Sequence, residues 1–172
     1  RCRLAVLILV ASLFGLSPVQ AQSPAAAAPG GPNIHYGVHV APSLTTLGPG
    51  LSGGVTVEAN RHVFSLRTTS TAPTVADETW DVGLLYGRAV FIRSFVLSAS
   101  TGVAVVSGTR YRSLFGSGPG RAMDTMIGFP LEGTAVWGPM STLAVGVRAF
   151  ANVNTEQPFG GIGLTVHVGR LR

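Results

Sequence analysis

The sequence predicts an all-β chain: an eight-stranded antiparallel up-and-down transmembrane β-barrel preceded by a cleavable signal peptide. Three observations carry this. Residues 141–170 alternate apolar with small or polar side chains at period two. Beyond the leader no apolar run reaches the roughly 18 residues of a membrane helix, yet only 11% of the chain is charged, against about 25% in ordinary soluble domains. Long and short connections also alternate between the predicted strands.

The alternation is clearest near the C-terminus. Leu143, Val145, Val147, Ala149 and Ala151 share one face, and Ala144, Gly146, Arg148, Phe150 and Asn152 the other. After a turn around Asn154-Thr155-Glu156-Gln157-Pro158 the pattern resumes, with Ile162, Leu164, Val166 and Val168 opposite Gly161, Gly163, Thr165, His167 and Gly169. Period two means strands. The second face holds glycine, alanine and threonine where a soluble sheet would carry ions. The apolar face is therefore expected to meet lipid and the small face a narrow interior. A polar backbone in lipid must bond internally, which leaves helices or closed barrels, and no helix is available.

The N-terminus reads as a leader over residues 1–21. Arg1 and Arg3 give a charged start, residues 4–16 an apolar stretch too short to span, and Val19-Gln20-Ala21 a small-residue cleavage site. The single cysteine, Cys2, falls within it, so the mature chain is expected to lack disulfides, iron–sulfur clusters and thiol nucleophiles. Residues 22–33, with Ala25 to Ala28 and three prolines, form a predicted flexible lead-in, and residues 34–172 the barrel domain. All 12 basic residues are arginine. Without the leader, ten arginines face seven acids, a charge of +3. The arginines are scattered singly, without basic runs or interleaved aromatics, so no nucleic-acid partner is expected.

Eight strands follow in order, predicted at 34–41, 51–59, 62–70, 79–92, 95–107, 123–138, 142–152 and 159–170. The connections 42–50, 70–78, 108–122 and 153–158 are the longer ones. Asn60-Arg61, Arg93-Ser94 and 139–141 are the short ones. Short periplasmic turns and longer external loops, with both termini periplasmic, require this alternation.

A two-residue Asn60-Arg61 turn pairs Val57 with Phe64 and Val55 with Leu66 on one face, and Gly54 with Arg67 on the other. The Arg93-Ser94 turn pairs Tyr86 with Thr101, Leu84 with Val103 and Val82 with Val105, all outward. Arg88 then falls on the outer face near the turn, where it can snorkel. A three-residue turn at 139–141 makes Glu132 the direct partner of Arg148, both inward. Opposite charges in a narrow bore pair, because a stranded one costs about 3–5 kcal/mol. An interior polar cluster of Glu132 and Arg148 is expected, joined by Glu58, Arg67 and Asp81. Trp80, Trp137, Phe91, Phe95 and Phe159, all near strand ends, are predicted interfacial aromatics.

This order of leader, eight strands and alternating connections, with stretches such as Val82-Gly83-Leu84-Leu85-Tyr86-Gly87-Arg88 and Phe159-Gly160-Gly161-Ile162-Gly163-Leu164, resembles the small outer-membrane β-barrels of Gram-negative bacteria, the OmpA/OmpX-type class. The resemblance covers residues 34–170. It implies an outer-membrane location, outer-membrane lipid as surroundings and the barrel-assembly machinery as a partner. Such barrels commonly end in an aromatic residue read by that machinery, whereas this sequence ends Gly169-Arg170-Leu171-Arg172.

Chemistry is sparse. Gly50-Leu51-Ser52-Gly53-Gly54 matches G-x-S-x-G, but a strand follows where the nucleophile elbow needs a helix. His35 and His39 lie about 13 Å apart on a strand at ~3.3 Å per residue, without carboxylate or thiol neighbours, and read as rim residues. Residues 116–121 are glycine-rich but lack the Lys-Ser/Thr of a phosphate loop. His62 follows a tight turn and His167 points inward, neither beside a sequence-evident catalytic partner. No catalytic, cofactor or metal site is expected. Eight strands enclose an interior just filled by side chains, which argues against a wide pore. The expected function is non-catalytic, through external loops in surface interaction or in envelope integrity, with no surface partner specified. One alternative is a soluble periplasmic lipocalin-like barrel with its apolar rows turned inward onto a hydrophobic ligand. Another is an outer-membrane lipid-modifying enzyme with Ser, His and an acid at one rim.

Overall fold

The computed structural model describes residues 34–71, 78–110 and 120–171. The predicted leader and lead-in lie outside the described residues, as do 72–77 and 111–119 of two predicted external connections. The strands are β1 (Ile34–Thr45), β2 (Gly48–Ala59), β3 (His62–Thr71), β4 (Glu78–Ile92), β5 (Phe95–Arg110), β6 (Arg121–Ala122), β7 (Met126–Trp137), β8 (Leu143–Val153) and β9 (Phe159–Arg170). Neighbours in the order β4-β3-β2-β1-β9-β8-β7-β5 pair antiparallel, and β4 also pairs with β5, which closes the sheet. β6 adds only two rungs to the end of β5. The result is a closed eight-stranded up-and-down barrel with no sheet edge left open to lipid.

Period two sorts the side chains as predicted. Leu84, Ile127 and Leu164 on the outer face are each about two-thirds exposed, while Arg67, Asp81, Arg148 and Asn152 inside are at most 1% exposed. The apolar rows point outward and the ions inward, the reverse of a soluble protein. One end of the barrel carries Ile34, Arg170 and the turns after β2, β4 and β7 (the terminal mouth), and the other carries the remaining connections (the loop mouth).

Both two-residue turns keep their predicted register. Asn60 and Arg61 have φ of 51° and 72°, the left-handed pair of a type I′ hairpin, and Val57 faces Phe64 and Gly54 faces Arg67. Tyr86 faces Thr101, Leu84 faces Val103 and Val82 faces Val105.

Two predicted connections are corrected. The first is not long: β1 runs on to Thr45 and β2 starts at Gly48. Thr45 Oγ1 clasps the turn, donating to Gly48 O at 2.7 Å and accepting from Leu47 N at 3.1 Å, and Gly48 takes φ +119°. Pro42 and Pro49 look like loop residues in sequence but lie in strands. The missing N–H of Pro42 coincides with a lapse in the β1–β9 ladder between Val40–Val166 and Ser43–Gly163. The turn between β7 and β8 is also longer, residues 138–142, because its flanks are tied elsewhere: Gly138 N donates to Ser94 O and Gly169 N to Thr142 O, each at 3.0 Å. Register therefore moves by two. Glu132 stands opposite Phe150, and Thr134 opposite Arg148. An even shift leaves every face assignment intact.

Candidate functional site

The barrel interior is the most elaborated part of the molecule. Arg67 from β3 pairs with Asp81 from β4, and its Nη1 lies 3.5 Å from Glu132 Oε2 of β7. The same Glu132 oxygen accepts from Arg148 Nη2 of β8 at 2.8 Å. Arg148 also donates to the Ser52 hydroxyl of β2, and Asn152 Nδ2 of β8 donates to Asp81 Oδ2 at 2.6 Å. Glu132 and Arg148 meet diagonally across neighbouring strands, a distance that long side chains span. The path Asn152–Asp81–Arg67–Glu132–Arg148–Ser52 crosses the bore and joins five strands. Two cations and two anions cancel, so no net charge is left in the bore at this level. The Phe150 ring lies between the guanidinium groups, 4.9 Å from Arg148 and 5.7 Å from Arg67, a cation–π arrangement.

Either side of this layer differs. Toward the loop mouth Phe150 and Phe159 meet edge to face at 6.4 Å and pack with Val106, with Leu47 and Met126 against them. Toward the terminal mouth His39 and His167, cross-strand partners, stack at 5.1 Å. Neither His39 ring nitrogen has a hydrogen-bond partner among the described residues. Ser98 and Thr134 hydroxyls meet at 2.6 Å. At the mouth itself His35, Glu58, Asn60, Arg61 and Phe91 line a cleft of about 480 Å³.

The structure thus brings together Glu132, Arg148, Arg67 and Asp81 but not Glu58, which stands opposite His35 and Val63 near the strand end. Glu58 points inward, but too near the mouth to reach the arginines. Among the predicted interfacial aromatics, Trp80 faces outward near the loop mouth, and Trp137 and Phe95 are outward cross-strand partners at the terminal mouth. Phe91 and Phe159 are corrected. Both fall on the inward row: Phe91 sits edge-on to His35 at 6.0 Å, and Phe159 is 3% exposed inside the barrel. Ser52, Asn152 and Phe150 are interior partners missed in sequence, although their parity with Arg148 and Gly54 places them inside. Ser52 lies in β2, its hydroxyl donating to Ala41 O at 3.2 Å, which is a structural role. His39 is a lumen residue, 4% exposed, rather than a rim residue.

No family model matches the chain, and no curated protein sequence is detectably similar to it. Solved structures do match. The N-terminal β-barrel domain of Pseudomonas aeruginosa OprF superposes with a TM-score of 0.66 at 10% identity, covering 81% of this chain and 99% of that one. Neisserial surface protein A matches at 0.56 and 13%, over 81% and 99%. Ail, the attachment invasion locus protein of Yersinia pestis, matches at 0.53 and 9%, over 79% and 96%. At such identities the likeness is one of fold, and the fold is that of the small eight-stranded outer-membrane β-barrels.

Proposed function

We propose that the protein resides in the outer membrane and acts without catalysis, presenting its loop mouth to partners outside the cell or contributing to envelope integrity. One observation carries this: the apolar rows face out along all the barrel strands, while a charge-neutral network spans the bore. A lipocalin-like carrier needs the opposite arrangement, since a hydrophobic ligand would meet Arg67, Asp81, Glu132 and Arg148 inside. Catalysis of the Ser–His–acid kind finds no support in the hydrogen bonds. Among the described residues the one histidine with a side-chain hydrogen bond is His62, to Tyr86 OH at 2.6 Å. A surface role fits the names of two structural neighbours, a surface protein and an attachment protein.

The test is fractionation of cells expressing the full chain, followed by gel mobility with and without boiling. The reading expects an outer-membrane band that shifts on heating. Trypsin added to intact cells is then expected to cut between Arg110 and Arg121, both exposed at the loop mouth, and to spare Arg61 and Arg93. A soluble, unshifted band would refute the location, and cleavage at Arg61 or Arg93 would refute the orientation.

A further inference from the structure

The arginines are distributed unevenly along the barrel axis. In mid-barrel, Arg67 and Arg148 are matched by Asp81 and Glu132. At the loop mouth Arg110 and Arg121 accompany Glu78, Asp124 and Glu156. At the terminal mouth Arg61, Arg88, Arg93 and Arg170 are all exposed, and the one acid at that end among the described residues, Glu58, points into the lumen. None of these four arginines forms a salt bridge among the described residues.

Arg88 is the most demanding of them. It occupies the outward row of β4 between Tyr86 and Val90, where its neighbours are built to meet lipid. A guanidinium on a lipid-facing row needs a counter-ion or a polar headgroup within reach. Its surroundings are arranged to share one. His62 is its cross-strand partner on β3, and the His62 Nδ1 is bonded to the Tyr86 hydroxyl at 2.6 Å, with the two rings stacked at 5.8 Å. Arg61 sits at the same level on the turn at the edge of the mouth cleft, fixed there by the Ala89 N to Arg61 O bond at 2.9 Å, and its long side chain can reach from the turn into the headgroup layer. On the other flank the cross-strand partner is Ala99, small enough to leave the side unobstructed.

We propose that Arg88, Arg61, His62 and Tyr86 form a headgroup site for an anionic phospholipid in the leaflet that meets the terminal mouth. The proposal rests on the outer-membrane reading above. A guanidinium fork matches two phosphate oxygens, a second arginine adds donors, and the bonded His62–Tyr86 pair adds one more, the proton its mutual bond leaves free. Net negative lipid is selected over zwitterionic lipid because the site carries uncompensated positive charge, which a net anionic headgroup neutralises and a zwitterionic one does not. Each basic residue near an anionic leaflet strengthens attraction to it roughly fivefold.

The test uses the full chain carrying Trp80→Phe, Trp137→Phe and Phe64→Trp. Phe64 touches Tyr86 at a ring separation of 5.1 Å, so its replacement places the sole tryptophan beside the site. The protein is refolded into phosphatidylcholine vesicles with a minor fraction of phosphatidylglycerol, brominated on the acyl chains of one lipid or the other. Quenching by brominated phosphatidylglycerol is expected to exceed that by an equal fraction of brominated phosphatidylcholine several-fold, and to fall to parity in Arg61→Gln/Arg88→Gln and in high salt. Arg110→Gln/Arg121→Gln is expected to change nothing. Equal quenching in the parent, or a preference that survives the double substitution, would overturn the site while a heat-shifted band keeps the membrane reading. Absence of a heat-shifted band in any vesicle would sink both.

Discussion

The two faces of the same strands solve opposite problems. Inside, every side chain must fit its neighbours, because the bore is narrow and an ion without a partner cannot reach water. Outside, an apolar residue needs only to be apolar, since lipid adapts to any shape. Specific pairing is therefore concentrated in Arg67, Asp81, Glu132, Arg148, Ser52 and Asn152, while the outer rows interchange Val, Leu, Ile and Phe freely. Substitutions of similar size should thus act unequally on the two faces.

The largest effect is expected for Arg67→Ala, which strands Asp81 and part of Glu132 inside the barrel. The loss should be about 3–5 kcal/mol, read from the denaturant midpoint of the heat-shifted band in zwitterionic vesicles. Arg67→Ala no more disruptive than Leu66→Ala, its lipid-facing neighbour, would break the distinction between faces. Next comes Leu84→Arg, which puts a charge near the middle of the outer surface, where the cost is about 2–4 kcal/mol. Leu84→Phe should move the same midpoint little, because the outer face asks only for apolarity. Gly102→Ala is smaller again. A Cβ there would run into the carbonyl oxygen of Leu84 and crowd the Leu85 Cα, so β4 and β5 must part slightly, at about 1–3 kcal/mol.

How much of this was legible in the sequence follows the same division. Face assignment was fully readable, because period two needs only one anchor per strand, and the two-residue turns then fixed partners such as Val57–Phe64. Register across the β7–β8 turn was not, since the bonds from Gly138 to Ser94 and from Gly169 to Thr142 that lengthen the turn come from other hairpins. Depth along the axis was harder still. Glu58 and Arg148 share the inward face, but nothing local tells that one lies at a mouth and the other in the middle. Phe159 differs in kind: its parity with Gly161 and Gly163 places it inside, whereas its nearness to a strand end points to an interface, and the face decides. Pro42 and Pro49 imitate a loop because a proline normally disrupts a ladder; here the β1–β9 ladder lapses at Pro42, and the β2–β3 ladder begins only at Gly50, just after Pro49.

The smallest predicted effect concerns Arg61, where stability and ligand recognition ask for different residues. Its φ of 72° lies in the left-handed region, which costs a side-chain-bearing residue about 1–2 kcal/mol relative to glycine. Arg61→Gly relieves that strain but makes the unfolded chain more flexible, which takes back about 0.4–1 kcal/mol. The net is a gain of about 0–1.6 kcal/mol in the type I′ turn, visible as at most a modest rise of the denaturant midpoint in zwitterionic vesicles. If Arg61 serves the headgroup site, the same variant should lose preference for phosphatidylglycerol in the quenching measurement. A turn made firmer while lipid selection weakens would mean that the arginine is kept for its charge at a position the backbone would give to glycine. A firmer turn with selection unchanged would leave Arg88, with His62 and Tyr86, as the part of the site that recognises lipid.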